Sequence, residues 1–447
     1  MKPLALLLVL LLAGCTVGPN YQRPRITPPA VYRGDTSPSP SSLGDEKWWT
    51  VFEDQSLQQL IHSALAQNYD VRIAATRVLQ AQARLGITRA DQYPNFSGSF
   101  GLNAQKVAFG KFNATQLQAA VSYDFDFWGR YRRATEAARA NLLASQWNQR
   151  TVIATLVSGI ASAYFQLREL DLELEISQRT LASRRQSLAL TETLANGGAT
   201  SLLDVKQAQQ LVETAAAAVP ELQREISVAE NALSAFLGQY PSDIARGKPL
   251  TEQPLPPTVP AGLPSRLLEH RPDIQEAEQN LIAANAEIGV ARAQLFPDVS
   301  LTGTYGGAAL GLRNLVSVYT LSPTITQPIF NAGKLRSNVR LSEAEQQQQL
   351  LTYQQTIQTA FREVADALAG YQRNRESREH QELLTAAARD ASGLSDMRYR
   401  GGAASYLEFL TNETNFFSAE LNLARARLSE RLALVQIYNS LGGGWQQ

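Results

Sequence analysis

The feature that most constrains the fold is an internal repeat, in which the second half of the chain follows the first at a nearly constant offset. The run ADQYP ending at Pro94 corresponds to AQLFP ending at Pro297, an offset of 203 residues. After a one-residue shift the offset becomes 204. A register kept over about 170 residues predicts a duplicated unit rather than two unrelated domains. Corresponding glycines later in the two copies are Gly197 with Gly401 and Gly198 with Gly402.

Each copy contains two long stretches of helical periodicity. Residues 131–194 contain no proline and one glycine, and apolar residues recur at every seventh position from Ile153 to Leu188. This heptad spacing predicts coiled-coil packing, and a helix of that length would span about 95 Å. The predicted long helices are 131–194 and 202–238 in repeat 1 (47–240) and 333–399 and 406–441 in repeat 2 (265–447), with a Pro/Gly-rich linker at 241–264.

Strand-like alternation lies between the short and the long helices of each copy. From Leu117 to Phe127, apolar or aromatic side chains alternate with mostly polar ones, which gives one apolar and one polar face. Such a pattern is common in antiparallel sheets covered on one side in soluble α+β domains. Runs of about ten residues with an aromatic outer face instead favour an outer-membrane barrel. The predicted strands are about 96–106, 115–127, 298–307 and 315–330.

Four strands per chain are too few to close a barrel, and open strand edges are not tolerated in lipid. The chain is therefore expected to oligomerise. Two copies would form an eight-stranded barrel filled by side chains, whereas three copies would form a twelve-stranded barrel with a lumen. Beyond the first residues, no apolar run approaches the roughly 18–20 residues of a transmembrane helix, so strands must make any bilayer passage.

The amino terminus has the pattern of a bacterial lipoprotein. Residues 1–14 combine a short basic start, an apolar run and small residues, which is typical of a secretory signal peptide that is removed. Leu-Ala-Gly before Cys15 matches a lipobox, so Cys15 is expected to become the first residue and to carry diacylglycerol and an N-acyl chain such as palmitate. Thr16 follows rather than the aspartate of inner-membrane lipoproteins, which predicts outer-membrane delivery. Residues 15–46 are interpreted as an extended tether.

Composition argues against several functional classes. The 41 basic and 41 acidic side chains balance, so a polybasic nucleic-acid binder is excluded. The three histidines lack metal-ligand spacing, and no phosphate-cradling loop stands between a strand and a helix. We therefore expect no enzyme activity, no metal and no cofactor other than the lipid on Cys15.

Several short motifs are spread along the chain. They include Cys15 to Tyr21 (CTVGPNY), Trp48-Trp49, Tyr123 to Arg130 (YDFDFWGR), Arg271 to Ile274 (RPDI), Arg398-Tyr399 and Leu441 to Trp445 (LGGGW). Together they resemble the outer-membrane efflux protein family, specifically the lipoprotein subgroup of TolC-like (NodT-like) outer-membrane factors, over essentially the whole mature chain. The resemblance implies a homotrimer with a twelve-stranded barrel, a twelve-helix periplasmic tunnel with an equatorial collar to which 241–264 contributes, a periplasmic adaptor and an inner-membrane pump of the resistance-nodulation-division type.

The helical turns at 196–204 and 400–408 are the candidate functional site. By resemblance, Leu407 matches a leucine at the family's closed constriction, whereas Thr411 and Thr414 replace an aspartate and an arginine of close relatives. Asp204 is interpreted either as a gate residue or as a solvated helix cap. Predicted gate residues are Asp204, Leu407, Arg398 and Arg400, and predicted tip contacts with an adaptor or pump are Gly197, Gly198, Ser201, Gly401, Gly402 and Tyr406.

Three functions compete at this stage. The first is an outer-membrane exit duct that passively conducts small toxic molecules delivered by an inner-membrane pump. The second is the outer-membrane duct of a type I protein secretion system, which shares the architecture. The third is a lipid-anchored periplasmic coiled-coil scaffold without a pore, which leaves the amphipathic strands unused. The sequence identifies neither the cargo nor the particular adaptor and pump.

Overall fold

A computed structural model describes residues 16–34, 41–107, 110–253, 259–310 and 316–446 of the 447-residue chain. It is mostly helical, with one four-stranded antiparallel sheet. The helices are α1 Trp48–Val51, α2 Gln55–Gln67, α3 Tyr69–Ala90, α4 Arg130–Asn196, α5 Leu202–Phe236, α6 Pro264–His270, α7 Pro272–Ala293, α8 Lys334–Arg400 and α9 Tyr406–Ser440. The strands are β1 Asn95–Val107, β2 Gly110–Phe125, β3 Asp298–Leu310 and β4 Val316–Thr326.

Corresponding helices of the two copies have equal lengths and the offsets read from the sequence. Helices α3 and α7 each contain 22 residues and start 203 residues apart. Helices α4 and α8 each contain 67 residues, and α5 and α9 each contain 35, with starts 204 residues apart. Helix α4 extends beyond the predicted bounds 131–194 at both ends, whereas α8 is shifted by one residue from the predicted 333–399, because Gly333 has a positive φ and stands before the helix.

The sheet has the strand order β1-β2-β3-β4, so β1 and β4 are its edges. Strand β2 ends at Phe125 rather than at the predicted residue 127. The Asp126 carboxylate accepts the N–H groups of Tyr131 at 3.2 Å and Arg132 at 3.0 Å, and so caps the start of α4. Strand β4 ends at Thr326 rather than at the predicted residue 330, where its pairing with Asp298 at the start of β3 also ends.

The chain divides into two compact units, and the first contains the sheet. Its described residues are 16–26, 75–107, 110–148, 273–310 and 316–356. Within the predicted tether, residues 16–26 belong to this unit. The Tyr21 hydroxyl and the Arg23 guanidinium donate to Glu278 of α7 at 3.1 and 2.8 Å. The leader and Cys15 lie outside the described residues.

The second compact unit takes its residues from Thr27–Ala74, Gln149–Pro272 and Ile357–Gln447. Its core joins the segment before α2 to the long helices. The ring of Phe52 lies 6.2 Å from that of Phe165 in α4 and 5.8 Å from that of Tyr438 in α9. Leu57, Ile61, Ile160 and Leu167 are fully buried in the same unit. Among the described residues, no helix has both the length and the apolar character that a bilayer crossing requires.

Candidate functional site

The tips of the two long hairpins are closed by the same type of turn. In the first, the N–H of Ala199 donates to the Leu194 carbonyl at 2.8 Å and that of Gly198 donates to Ala195 at 3.0 Å, which is a Schellman motif. Gly198 and its counterpart Gly402 have φ of +76° and +70°, a conformation in which a side chain would be strained. All four tip glycines are exposed: Gly197, Gly198, Gly401 and Gly402.

Asp204 lies in a complete capping box at the start of α5. The Ser201 hydroxyl accepts the N–H of Asp204 at 3.2 Å, and the Asp204 carboxylate accepts the N–H of Ser201 at 3.1 Å. The hydroxyl of Thr200 also donates to this carboxylate at 2.5 Å. That hydrogen bond above all, followed by those from Ser201, holds the pKa of Asp204 below its usual value. Within one chain, Asp204 therefore acts as a charged helix cap.

The second tip uses a different arrangement of charges. Ser405 caps α9 by accepting the N–H of Glu408 at 3.2 Å, but Glu408 pairs with Arg398 at 3.2 Å. Arg400 pairs with Asp396 of its own helix at 2.9 Å. Arg398 and Arg400 thus have partners other than Asp204 within the chain. Sequence reasoning missed Glu408 because its role depends on the fold of the turn.

An aromatic cluster fills the space behind the second tip. The rings of Tyr399, Tyr406 and Phe409 have centroids 5.4–5.9 Å apart and pack against Ala208 of α5. Tyr406 is 4% exposed, and burial above all raises the pKa of its hydroxyl to about 12. Its side chain is consequently not presented as a surface contact in this conformation, because the aromatic cluster encloses it.

The two tips share one exposed leucine position and differ at the position before it. Leu407 is 59% exposed, and its counterpart Leu203 is 65% exposed. Leu202 is also exposed, whereas the residue that corresponds to it in the second copy is the buried Tyr406. The two tips therefore share a backbone plan but present different side chains.

Three ion pairs connect α4 with α9, and the sequence analysis did not find them. Glu173 pairs with Arg425 at 2.8 Å, Arg179 pairs with Glu420 at 2.6 Å and Arg184 pairs with Glu413 at 3.1 Å. The positions rise along α4 as they fall along α9, as expected of antiparallel helices. The only sequence signal is this reversed order of opposite charges, and it can be read only once α4 and α9 are known to be neighbours.

A buried carboxyl pair on α4 predicts a pH-dependent stability. Burial raises the pKa of Glu169 to about 8, and the hydrogen bond and charge of Glu173 act in the same direction while Arg425 opposes them. In the unfolded chain the pKa of this glutamate is near 4.5. An acid whose pKa is raised on folding contributes its full stabilisation below that unfolded pKa, and the stabilisation is lost as the pH rises towards the folded pKa of about 8. We expect Glu169→Gln to raise the free energy of unfolding at pH 8 by about 1–3 kcal/mol.

The measurement is the guanidinium chloride midpoint of the detergent-solubilised protein at pH 5 and pH 8. The gain from Glu169→Gln should shrink at pH 5, where the native carboxyl is already protonated. Glu175→Gln, at an exposed position on the same helix, is the control and should change the midpoint little at either pH. An equal gain at both pH values would show that Glu169 does not titrate in this range.

Among the described residues, no group of three or more histidine, cysteine, aspartate or glutamate side chains is placed to hold a metal ion. The candidate site is therefore a pair of helical tips with charged, aromatic and leucine side chains. Such an arrangement can open, close or bind another helix, and its hydrogen-bonded caps keep each turn rigid.

Comparison with known proteins places this geometry in a family. A family model described as "Outer membrane efflux protein" matches residues 60–239 and, a second time, residues 263–443. The cation efflux system protein CusC of Escherichia coli is 36% identical over 460 residues, covering 100% of this chain and 99% of CusC. The toluene efflux pump outer membrane protein TtgC of Pseudomonas putida is 36% identical, covering 98% of this chain and 94% of TtgC.

Solved structures are similar over nearly the full length. A crystal structure of CusC, described in connection with folding and transmembrane channel formation, has a TM-score of 0.88 at 34% identity and covers 96% of this chain and 100% of its own. The open state of the MtrE outer membrane channel of Neisseria gonorrhoeae has a TM-score of 0.90 at 31% identity and covers 97% of this chain and 99% of its own.

Proposed function

Because this chain belongs to the outer membrane efflux protein family, we propose that it is the exit duct of a tripartite efflux system and that three copies form the duct. The observation that carries the proposal is the four-stranded sheet with β1 and β4 as open edges. Lipid does not tolerate open strand edges. Joining β4 of one copy to β1 of the next closes twelve strands around a lumen, whereas two copies would close a barrel filled by side chains.

The long helices supply the reach of such a duct. Each 67-residue helix is about 100 Å long, several times the thickness of a bilayer's hydrocarbon core. We infer that the hairpin tips extend into the periplasm and meet a membrane-fusion adaptor and an inner-membrane transporter of the resistance-nodulation-division type. Exposed tip residues available for these contacts are Gly197, Gly198, Ser201, Gly401 and Gly402.

The cargo is proposed to be small toxic molecules that the inner-membrane pump selects. CusC is named as a cation efflux protein, TtgC as part of a toluene efflux pump and ArpC of Pseudomonas putida as part of an antibiotic efflux pump. These names describe different cargoes among proteins of similar identity to this chain, which supports selection outside the duct. The efflux names do not favour the secretion-duct or scaffold alternatives.

A lipid on Cys15 would anchor the chain beside the sheet. The N–H of Val17 donates to the carbonyl of Trp128, which follows β2, at 3.0 Å. Cys15 therefore stands two residues from a point fixed near the strand ends, where an acyl chain could enter a bilayer. Mass spectrometry of the amino-terminal peptide tests this proposal: an unmodified peptide from the membrane fraction would contradict it.

The closed entrance is proposed to depend on Leu407, with Asp204, Arg398 and Arg400 as charged neighbours around the axis of the trimer. Thr411 and Thr414 are uncharged, and their hydroxyls donate to the carbonyls of Leu407 and Leu410 in their own helix. They therefore supply no ion pair that could hold the entrance closed. The exposure of Leu407 leaves it free to meet its equivalents from other copies.

We expect Leu407→Ala to raise the single-channel conductance several-fold, because it removes the apolar bulk that narrows the entrance. Asp204→Asn should have a smaller effect, since an asparagine keeps most of the helix cap. The measurement is planar-bilayer conductance together with leak of a large antibiotic into cells. Leu203→Ala, at the corresponding position of the first tip, is the matched control. Wild-type conductance in Leu407→Ala would exclude Leu407 as the constriction.

The function itself is tested by the mass and conductance of the same purified sample. A trimer that conducts in small steps supports the duct. A monodisperse particle that never conducts, even after Leu407→Ala, would contradict it and return the scaffold to consideration.

A further inference from the structure

Of the three ion pairs between α4 and α9, the one nearest the tips is built differently from the others. Arg184 is 4% exposed and Glu413 is 12% exposed at their side chains. The Arg184 Nε donates to both carboxylate oxygens of Glu413 at 3.1 and 3.2 Å, and its Nη2 donates to Oε2 at 3.1 Å. In the other two pairs the arginine, Arg179 or Arg425, is more than half exposed, although the carboxylates of Glu420 and Glu173 are buried. Solvent screens a pair that is open on one side more than a pair in which both partners are enclosed.

Arg184 also connects a third helix. Its Nη1 donates to the carbonyl of Leu211 in α5 at 3.0 Å. The guanidinium lies 5.0 Å from the centre of the Phe417 ring in α9, a cation–π distance. One side chain of α4 thus holds α5 by a backbone carbonyl and α9 by a carboxylate and an aromatic ring.

The pair lies directly behind the aromatic cluster of the second tip. A cavity of about 10 Å³ beside it is lined by Arg184, Glu413, Tyr406 and Phe409 among others, which leaves room for roughly one water molecule. Glu413 follows Leu407 by six residues, a rise of about 9 Å along α9. Glu413 therefore stands fewer than two helical turns from Leu407 on the same helix.

The pair is not a product of the internal repeat. The residue that corresponds to Arg184 in the second copy is Ala388, and the residue that corresponds to Glu413 in the first copy is Gln209. The Arg184–Glu413 pair therefore joins α4 of the first hairpin to α9 of the second. The repeat supplies no corresponding ion pair between α8 and α5 at these positions.

We propose that Arg184 is a positioning residue of the duct, which holds the start of α9 against α4 and α5 so that Leu407 stays in the closed position. This inference rests on the proposed function. Arg184 is buried behind the tip and acts on the constriction only through Glu413 and α9. Its loss should release the start of α9 while the heptad packing further along the coiled coil persists.

The test compares Arg184→Ala with Arg179→Ala, which removes a pair between the same two helices whose arginine is more than half exposed. Purified trimers of each are measured in planar bilayers, and cells are assayed for leak of a large antibiotic. We expect a several-fold conductance increase for Arg184→Ala and no measurable change for Arg179→Ala. Arg184→Lys should be intermediate, because a lysine keeps the charge but not the fork that binds both carboxylate oxygens.

A second readout separates positioning from general destabilisation. With Cys15 blocked by its lipid, Thr411→Cys provides one thiol per chain for a spin label at an exposed position one turn from Leu407 on α9, and distances between copies report the width of the entrance. Arg184→Ala should lengthen these distances at an unchanged trimer mass. The double variant Arg184→Glu with Glu413→Arg should close the entrance more than either single change does. If Arg184→Ala does not fold, Glu413→Gln, which keeps the side-chain shape, takes its place with the same expected direction.

The outcomes distinguish the two proposals. Wild-type conductance and distances in Arg184→Ala, alongside an open Leu407→Ala, would overturn the role of Arg184 and leave the duct intact. Failure of both variants and of the wild type to conduct would overturn the duct itself.

Discussion

Replacing Asp54 by alanine is expected to lower the free energy of unfolding by about 3–5 kcal/mol, because it removes the shared acceptor of a buried network. Asp54 is 1% exposed. One carboxylate oxygen accepts the Tyr164 hydroxyl at 3.0 Å, the Lys248 N–H at 2.9 Å and the Gln253 side chain at 2.5 Å. Through Asp54, these hydrogen bonds connect Tyr164 of α4 with Lys248 and Gln253 of the linker after α5. Their loss should therefore leave this part of the linker less firmly packed.

The other oxygen of Asp54 caps α2 by accepting the N–H groups of Ser56 at 2.8 Å and Leu57 at 3.2 Å. Burial alone would raise the pKa of Asp54, but hydrogen bonds, first from Gln253 and then from Leu57, hold it below its usual value. Its contribution to stability is therefore complete at neutral pH. It is lost only as the pH falls below the ordinary aspartate value and through the lowered one.

The guanidinium chloride midpoint of the purified protein at pH 7 measures this effect. Glu53→Ala, an exposed neighbour, is the control and should stay within about 0.5 kcal/mol of the wild type. Asp54→Asn should fall between the two, since it keeps an acceptor but turns an amide N–H towards other donors. An Asp54→Ala midpoint equal to that of Glu53→Ala would mean that the network does not hold the linker.

Arg271→Ala is expected to lower the free energy of unfolding by about 2–3 kcal/mol, because it leaves the partly exposed Glu363 carboxylate and the carbonyl at the end of α9 without the buried guanidinium that binds both. Arg271 pairs with Glu363 of α8 at 2.8 Å and donates to the Ser440 carbonyl at the end of α9 at 3.0 Å. The corresponding residue of the first copy, Asn68, donates to the Phe236 carbonyl at the end of α5 at 2.9 Å. Both side chains thus donate to the carbonyl at the end of a long helix, Arg271 with its guanidinium and Asn68 with its amide.

The matched variant Asn68→Ala should therefore lower the free energy of unfolding by less, about 1–2 kcal/mol, since it leaves no carboxylate without its cationic partner. Asn68 also accepts the N–H groups of Asp70 and Val71 at 2.8 and 3.1 Å, so its loss removes a second cap. Both variants are compared by their unfolding midpoints in guanidinium chloride. An equal cost for the two would indicate that the Glu363 pair adds nothing to the helix cap.

The regular parts of this fold could be predicted from the sequence, because each depends on local spacing. The 67-residue α4 follows from a proline-free heptad run, and the tip turn at Gly198 follows from a glycine pair at the end of that run. The end of β2 could not be predicted in the same way. Alternation continues to Phe127, but the Asp126 carboxylate caps α4 and takes the chain out of the strand.

The sequence predicts where the candidate site lies along the chain, but not which side chains contact one another there. The turns, Ser201 and Leu407 were found from the repeat and the resemblance. The Arg184–Glu413 pair joins residues 229 positions apart, and no spacing rule reveals which of several long helices will be neighbours. Asp204 remained open between gate and cap because both interpretations use an aspartate near a helix start, and only the hydrogen bonds from Thr200 and Ser201 show the cap.

In the proposed trimer, the difference between the two tips would set the symmetry of the entrance. A trimer of duplicated chains would place six hairpins of one backbone plan around its axis, yet only alternate hairpins would carry the Tyr399, Tyr406 and Phe409 cluster. The entrance would then have threefold rather than sixfold symmetry. The three hairpins of one kind could move together while the three hairpins of the other kind stay in place. A partner that binds one kind of hairpin would leave the other kind unoccupied.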